Sequence, residues 1–438
     1  MLRTRRLPSV LLLGVLWLAI AVGAFFYCLH FSDWDAGIRL YIGAARCMLD
    51  GRALQACDPF YTYPPIVAFL TIPLVPLPLV LQNLVWYALT IGGQLWGLLL
   101  IVPLVQRLTP QRWSTRELVL LYALGILLSL KFVVATIASQ SYDVLVVLFV
   151  LLGLTGLARD WPKRESRASI WAGLSFGCAA ALKATPLLFF PYLIVTRRYR
   201  AAVAMASALA GLSLLPDLFA LMHQSGEGSY LLAWLGQVAN PALSEKLQGN
   251  LHTFWFASNT NNNSLRSLVG MFLPDGDPSF RRTLYAVYVA YCSVVGLIIL
   301  ATGKRAGAIT VDGALLLMSM LMLSPMSSES HYVALPLAIF SVTAMWIKGD
   351  SSKRRVAGYS LLVTFVLINA AARDIVGMDV TTWAKDHRLL VIAVLLLVVP
   401  FAFLVRGWRA SVVLPARLDR RALARPVLPK RLFARTWP

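Results

Sequence analysis

Two carboxylates, Asp33 and Asp35, stand just beyond a long apolar run near the start of the chain. A carboxylate at a membrane interface can act as general base on a hydroxyl whose lipid tail stays in the bilayer, and that chemistry needs one base rather than a triad. The same acids also suit a solvated loop or an ion pair with Arg39. Lys183 falls at the junction of two short apolar runs, in Ala181-Leu182-Lys183-Ala184-Thr185-Pro186. An ammonium at the edge of hydrocarbon calls for an anion, such as a lipid phosphate, unless it only snorkels to the interface. Lys131 lies inside an apolar run and also needs a partner, either Asp143, a phosphate or a structural ion pair.

Further polar residues sit in short breaks between apolar runs. The turn Ser139-Gln140-Ser141-Tyr142-Asp143 is one, and Ser324-Pro325-Met326-Ser327-Ser328-Glu329-Ser330-His331-Tyr332 is another. Gln140, Asp143, Glu329 and His331 are weak signals singly, since a lone histidine is more often a surface residue than a catalyst. Their convergence on one face is the stronger signal. In a longer polar stretch, Trp234, Phe254, Trp255 and Phe256 read as interface aromatics or as sugar-stacking faces. Asn259 to Asn263 and Arg266 suit either a polar headgroup or a plain turn.

These residues must be positioned by a chain with little polar surface. Of 438 residues, 58% are hydrophobic and 14% charged, which places the chain in lipid and leaves no soluble domain. The net charge of +20 sits in short clusters beside apolar runs, where it sets orientation and meets anionic headgroups; no nucleic-acid partner is expected. Runs of spanning length are read at 7–29, 80–105, 117–137, 142–158, 169–183, 185–196, 201–222, 284–302, 309–325, 332–347, 356–372 and 389–405. The expected fold is therefore an all-α polytopic membrane protein of about twelve spans. Basic clusters put 159–168 and a basic tail, 406–438, in the cytoplasm, and put the first loop, 30–79, and a large loop, 223–283, on the other side. The first run, preceded by Arg3, Arg5 and Arg6, reads as an uncleaved span. The short, proline-interrupted run 64–78 reads as a half-helix dipping in from outside.

Within the first loop, Ile38, Tyr41, Ile42, Ala45, Met48 and Leu49 recur at helical spacing, which predicts an amphipathic helix lying on the membrane. Cys47 and Cys57, in the same loop, form a disulfide if it faces an oxidising compartment, or stay as two thiols. The cysteines show no metal-ligand spacing, and neither a metal nor another cofactor is expected.

The ordered set Tyr41-x-x-Ala44-Ala45, Leu49-x-Gly51, Tyr61-Thr62-Tyr63-Pro64-Pro65, the Ser139 turn, Ala181 to Pro186, Arg197-Arg198-Tyr199-Arg200, Asn262 to Arg266, Ser324 to Ser327 and His331-Tyr332 resembles glycosyltransferase family 87. The resemblance runs from about residue 30 to 345. It implies a GT-C type bundle over 1–405 and transfer, with inversion, of a hexose, mannose for known members, from a polyprenyl-phosphate sugar to a lipid-linked or glycolipid acceptor. It implies residence in a bacterial plasma (inner) membrane, with membrane lipids as surroundings and chemistry on the non-cytoplasmic face. Carried over, Asp35 or Asp33 is the base, Lys183 holds the donor phosphate and His331 joins the catalytic group, with Tyr63, Gln140, Asp143, Asn263, Arg266 and Glu329 as substrate-binding residues. Two features depart from the family's pattern: Gly37 stands four residues before Tyr41, where an aspartate is usual, and Ser139 to Tyr142 replaces a Gly-Gln-x-Asn turn. The competing class is a transporter or lipid-carrier flippase, which would show inverted repeats and ionisable residues near the midplane.

Overall fold

The computed structural model describes residues 36–109, 111–159, 166–223, 228–244, 255–303, 305 and 307–410, with positions 19, 22, 23 and 26. Asp33, Asp35, Phe254, most of the first expected span and the tail beyond 410 lie outside the described residues. Every regular element among those described is helical.

The chain order is α1 (Ala36–Leu49), α2 (Pro65–Thr71), α3 (Leu79–Val105), α4 (Thr115–Ala138), α5 (Asp143–Arg159), α6 (Arg167–Leu182), α7 (Phe189–Val195), α8 (Tyr199–Met222), α9 (Leu265–Gly270), α10 (Phe280–Thr302), α11 (Ala308–Met322), α12 (Pro336–Lys348), α13 (Ser351–Ala370), α14 (Arg373–Asp386) and α15 (Leu389–Ala410). Helix starts follow local chemistry. Ser114 and Glu117 form a reciprocal capping box at α4, and Ser166 and Asp350 accept backbone N–H groups at α6 and α13.

The helix lengths among the described residues bear out a polytopic membrane protein with fewer full-length spans than the twelve expected. Among the described residues, five helices, α3 with its continuation to Leu108, α4, α8, α10 and α15, are long and apolar enough to cross a bilayer, and the pair α13–α14, bent by 85°, makes up to six if it is one span. The expected spans at 142–158, 169–183, 185–196, 309–325 and 332–347 correspond to helices of 17, 16, 7, 15 and 13 residues, against about 20 for a full crossing. Burial explains the short lengths of α11 and α12. Every residue of α11 is buried, whereas α10 turns Val289, Val294, Leu297 and Leu300 outward. Helices enclosed by other helices need not match the bilayer, as α11 and α12 show, whereas the short α6 and α7 leave Trp171, Ile194 and Val195 exposed.

The first-loop helix forms as expected, but its setting differs. Ile38, Tyr41, Ile42, Ala45 and Met48 are at most 4% exposed, and Tyr41 stacks on Trp86 of α3 with ring centroids 4.8 Å apart. This apolar face is buried against protein rather than laid on lipid. The half-helix is present as α2 and a tight turn to Leu74, held by Gln82, whose amide donates to the carbonyls of Leu74 and Leu77. Cys47 and Cys57 are disulfide-bonded. The polar stretch 373–388, between the expected spans 356–372 and 389–405, is mostly the helix α14, which leaves α13 nearly at a right angle.

Candidate functional site

Asp143 opens α5 and Lys183 closes α6, so two helix ends meet at one end of the bundle. The Lys183 ammonium lies 2.5 Å from Asp143 Oδ1. Ser141 Oγ donates to Asp143 Oδ2 at 2.5 Å, and His331 Nε2 stands 3.5 Å from the same oxygen. Asp143, Lys183 and His331 line a small cleft with Thr185, Ser324 and Ser327, walled by Val146 and Val147. The Asp143 side chain is 8% exposed and those of Lys183 and His331 are each 18% exposed, so the charges face a restricted opening. Such a pair is strongly held yet open to exchange with a stronger anion.

The tautomer of His331 follows from its backbone neighbour. The Ser328 N–H donates to His331 Nδ1 at 3.2 Å, leaving the proton of the neutral ring on Nε2, which faces Asp143. Burial first, and the Lys183 ammonium second, push this imidazole down to about 4, with Asp143 pulling the other way. At neutral pH the ring is an uncharged donor.

The Ser139 turn fixes the surroundings. Gln140 adopts a left-handed φ of 50°, its Oε1 accepts the Ile38 N–H at 2.8 Å, its Nε2 donates to Asn83, and its carbonyl accepts the Trp86 indole N–H at 2.7 Å. One residue thus pins α1, α3 and the turn before Asp143. A Cβ on Gly37 would come within 2.6 Å of the Ser139 carbonyl and 2.7 Å of Gln140 Cβ, so the position four residues before Tyr41 has no room for a side chain. Tyr63 sits among Tyr41, Tyr61 and Tyr142 at ring distances of 5.1 to 5.6 Å. Burial, then the Asp143 charge, push its phenol up to about 12, so it remains a neutral donor.

Other expected binding residues meet protein partners. Arg266 pairs with Asp275 at 2.7 Å and lies over the Phe280 ring. The Asn263 N–H donates to the Ser327 carbonyl at 2.7 Å, and its own carbonyl accepts from Tyr332. Asn263 therefore clamps the large loop to the His331 turn, and Arg266 ties the loop to Asp275 and the start of α10. Glu329 lies 3.5 Å from Lys131 and 3.9 Å from Lys385. Lys131 also donates to the carbonyls of Ile368 and Ala371, closing the end of α13. Trp234 donates to the Thr62 carbonyl, and Trp255 packs with Val238 and Met326 over the Ser324 turn. Ser141 and Ser328, which orient Asp143 and His331, went unassigned in the sequence; their only signal was a place beside a charged residue in a short turn.

Comparison with known proteins bears directly on this arrangement. A family model, Glycosyltransferase family 87, matches residues 61–325, more than half of the chain. The chain belongs to glycosyltransferase family 87. It is thus a multi-pass membrane glycosyltransferase, with a sugar donor and an acceptor as its substrates. The match covers Tyr63, Gln140, Asp143, Lys183, Asn263 and Arg266 and stops short of His331. No curated protein and no solved structure matches the chain. Among the described residues no group of His, Cys, Asp and Glu is arranged to hold a metal.

Proposed function

We propose that this family 87 enzyme moves a hexose, mannose by resemblance, from a polyprenyl-phosphate sugar to a lipid-linked or glycolipid acceptor, with inversion, at the Asp143–Lys183–His331 cleft. The observation that carries the reading is a lysine ammonium held at a cleft mouth by one carboxylate oxygen and accompanied by a neutral imidazole N–H. A donor phosphate competes with Asp143 for Lys183, while the Nε2 proton of His331 is available to a second phosphate oxygen. Both interactions strengthen as charge develops on the departing phosphate. Asp143 retains Ser141 when Lys183 turns to the donor, so the carboxylate is not stranded.

The base is assigned to Asp35, with Asp33 as the other candidate. Support comes from the tie between Gly37 and the Ser139 turn: the chain leaving Asp35 runs directly to the elements that carry Asp143. The base takes the acceptor proton, the acceptor oxygen attacks the anomeric carbon, and the carrier phosphate leaves from the opposite face.

The reaction side is assigned as non-cytoplasmic, in a bacterial plasma membrane. The Cys47–Cys57 disulfide at the site end suits an oxidising compartment, and Arg107, Arg159, Lys348 and Lys353 gather at the ends of helices remote from the cleft. Purified protein is incubated with radiolabelled polyprenyl-phosphate mannose and a bacterial membrane lipid extract. A labelled glycolipid that disappears in Lys183→Ala supports the proposal; uptake of label into vesicles without product would move the reading to a transporter.

A further inference from the structure

The helix expected to lie on the membrane, α1, is buried in protein, and the exposure that such a helix would show appears instead on α14. Within this largely polar element Ile375, Val380 and Trp383 are 66%, 44% and 53% exposed. The helices on either side fix its level. Helices α13 and α15 run antiparallel, since Ser360 Oγ donates to the Leu396 carbonyl at 3.0 Å and Thr364 Oγ1 to the Ala393 carbonyl at 3.4 Å. Continuing that register brings the end of α13 beside the start of α15, where Ala371, Ala384 and Leu389 form one buried cluster. The chain between them leaves and returns at one level, and with its 85° bend it lies across the end of the pair instead of completing a span.

Lipid reaches that level. On α13, Tyr359, Leu362, Val363 and Val366 are exposed at i, i+3, i+4 and i+7, a stripe that faces the bilayer. Helix α14 begins where this stripe ends, and Lys385 lies 3.9 Å from Glu329 in the His331 turn, so α14 stands at the boundary of the leaflet on the cleft side.

The faces of the helix beyond Gly377, whose φ is 81°, are sorted. Thr381 and Ala384, with Arg388 just past the helix, are buried, and Arg388 donates to the carbonyls of Ala257 and Ser258. Protein has therefore taken this face. Val380, Trp383 and His387 follow at i, i+3 and i+7 on a neighbouring stripe, with the Trp383 and His387 rings 4.6 Å apart. Met378 and Thr382 fall on the side away from it. Charge does not select the partner, because Asp374, Asp379 and Asp386 balance Arg373, Lys385 and Arg388. A valine and a tryptophan at the end of a lipid-facing helix match the headgroup–acyl boundary, where an amphipathic helix lies in plane and indole rings concentrate.

We propose that 372–388 is a membrane-surface element, with Val380 and Trp383 immersed in the headgroup–acyl boundary of the leaflet on the cleft side. Its partner is the lipid surface, whatever reaction the cleft performs.

The test uses the full chain carrying Cys178→Ala and Cys292→Ala, with the Cys47–Cys57 disulfide intact, in vesicles of phosphatidylethanolamine and phosphatidylglycerol. One nitroxide at a time is placed on Val380→Cys, Trp383→Cys, Met378→Cys, Thr382→Cys or, as the lipid reference, Leu362→Cys. All five positions are exposed, so the label displaces little packing. Collisions with oxygen, which concentrates in hydrocarbon, are compared with those of a water-soluble nickel complex. The oxygen-to-nickel ratio at 380 and 383 is expected to stand several-fold above that at 378 and 382 and to approach that at 362. Equal ratios at the four α14 positions, the result for a helix standing in water, would overturn the proposal. So would protection of 380 and 383 from both reagents, which would mean that protein, such as a second copy of the chain, covers the stripe.

Discussion

Two lysine–carboxylate pairs of nearly equal length sit at opposite ends of the bundle. Lys183 lies 2.5 Å from Asp143 and Lys348 lies 2.6 Å from Glu117. Glu117 is 30% exposed, caps α4 through Ser114, and shares Lys348 with the Arg112 carbonyl. Asp143 is 8% exposed, faces a cleft, and shares its second oxygen with Ser141 and His331. Distance alone does not distinguish a structural pair from a functional one. What differs is the exposure of each carboxylate and the space beside the ammonium: one pair closes a helix end, and the other borders the small cleft in which we place the donor phosphate.

The largest expected effect tests the buried pair. Lys183→Met leaves the buried Asp143 with Ser141 and a neutral His331 but without its counter-charge, which should cost about 3–5 kcal/mol of stability and abolish transfer. Pairing it with Asp143→Leu should restore the melting temperature in detergent while transfer stays absent, since the phosphate still lacks its cation. Recovery of transfer in the double variant would break the comparison, because the pair would then be structural at both ends.

Next comes the base. Asp35→Asn keeps the shape of the side chain but cannot accept a proton at neutral pH, so transfer should fall by about 10²–10⁴-fold with expression unchanged. Asp33→Asn should cost less. A dead Asp33→Asn with an active Asp35→Asn would move the base by two residues, and full activity in the double variant would leave Asp143 as the carboxylate to try.

A smaller effect belongs to His331. Its folded-state value, near 4, lies below the ordinary 6.5, so the folded chain binds fewer protons between these values. The stabilising contribution of the neutral ring is complete above pH 6.5 and is lost as pH falls toward 4. Melting measured from pH 7.5 to 4.5 should show a decline that flattens in His331→Gln. An identical slope in that variant would assign the decline to other groups.

How much of this was legible in the sequence depended on the residue. An ionisable side chain in so apolar a chain has few places to go, so the meeting of Lys183, Asp143 and His331 could be anticipated from three short turns. Arg266, Asn263 and Glu329 share those turns, but a sequence displays a charge without its partner, and Asp275, Ser327, Lys131 and Lys385 turned out to hold them. Apolar runs located the helices yet not their lengths, because α11 and α12 are apolar through burial in protein rather than contact with lipid. Helix α14 was hidden by Arg373, Asp374, Asp379, Lys385 and Asp386, which left the stretch as a gap between two expected spans.

The smallest effect is expected at the other pair, and it sharpens the contrast from that side. Lys348→Met removes an ammonium that also lies 5.3 Å from the Trp113 ring centroid, but Glu117 keeps the Ser114 N–H and hydroxyl and remains reachable by water. The Lys348 side chain is only 8% exposed, but a pair whose carboxylate is 30% exposed and capped by Ser114 contributes little and is screened by salt. The melting temperature should therefore move by no more than about 2 °C at moderate salt, with transfer unchanged. Raising the ionic strength should shrink even that difference, whereas the defect of Lys183→Met, enclosed in its cleft, should persist. A Lys348→Met protein that lost transfer or unfolded like Lys183→Met would mean that the two pairs are energetically alike, and the distinction drawn from carboxylate exposure and the neighbouring cleft would fail.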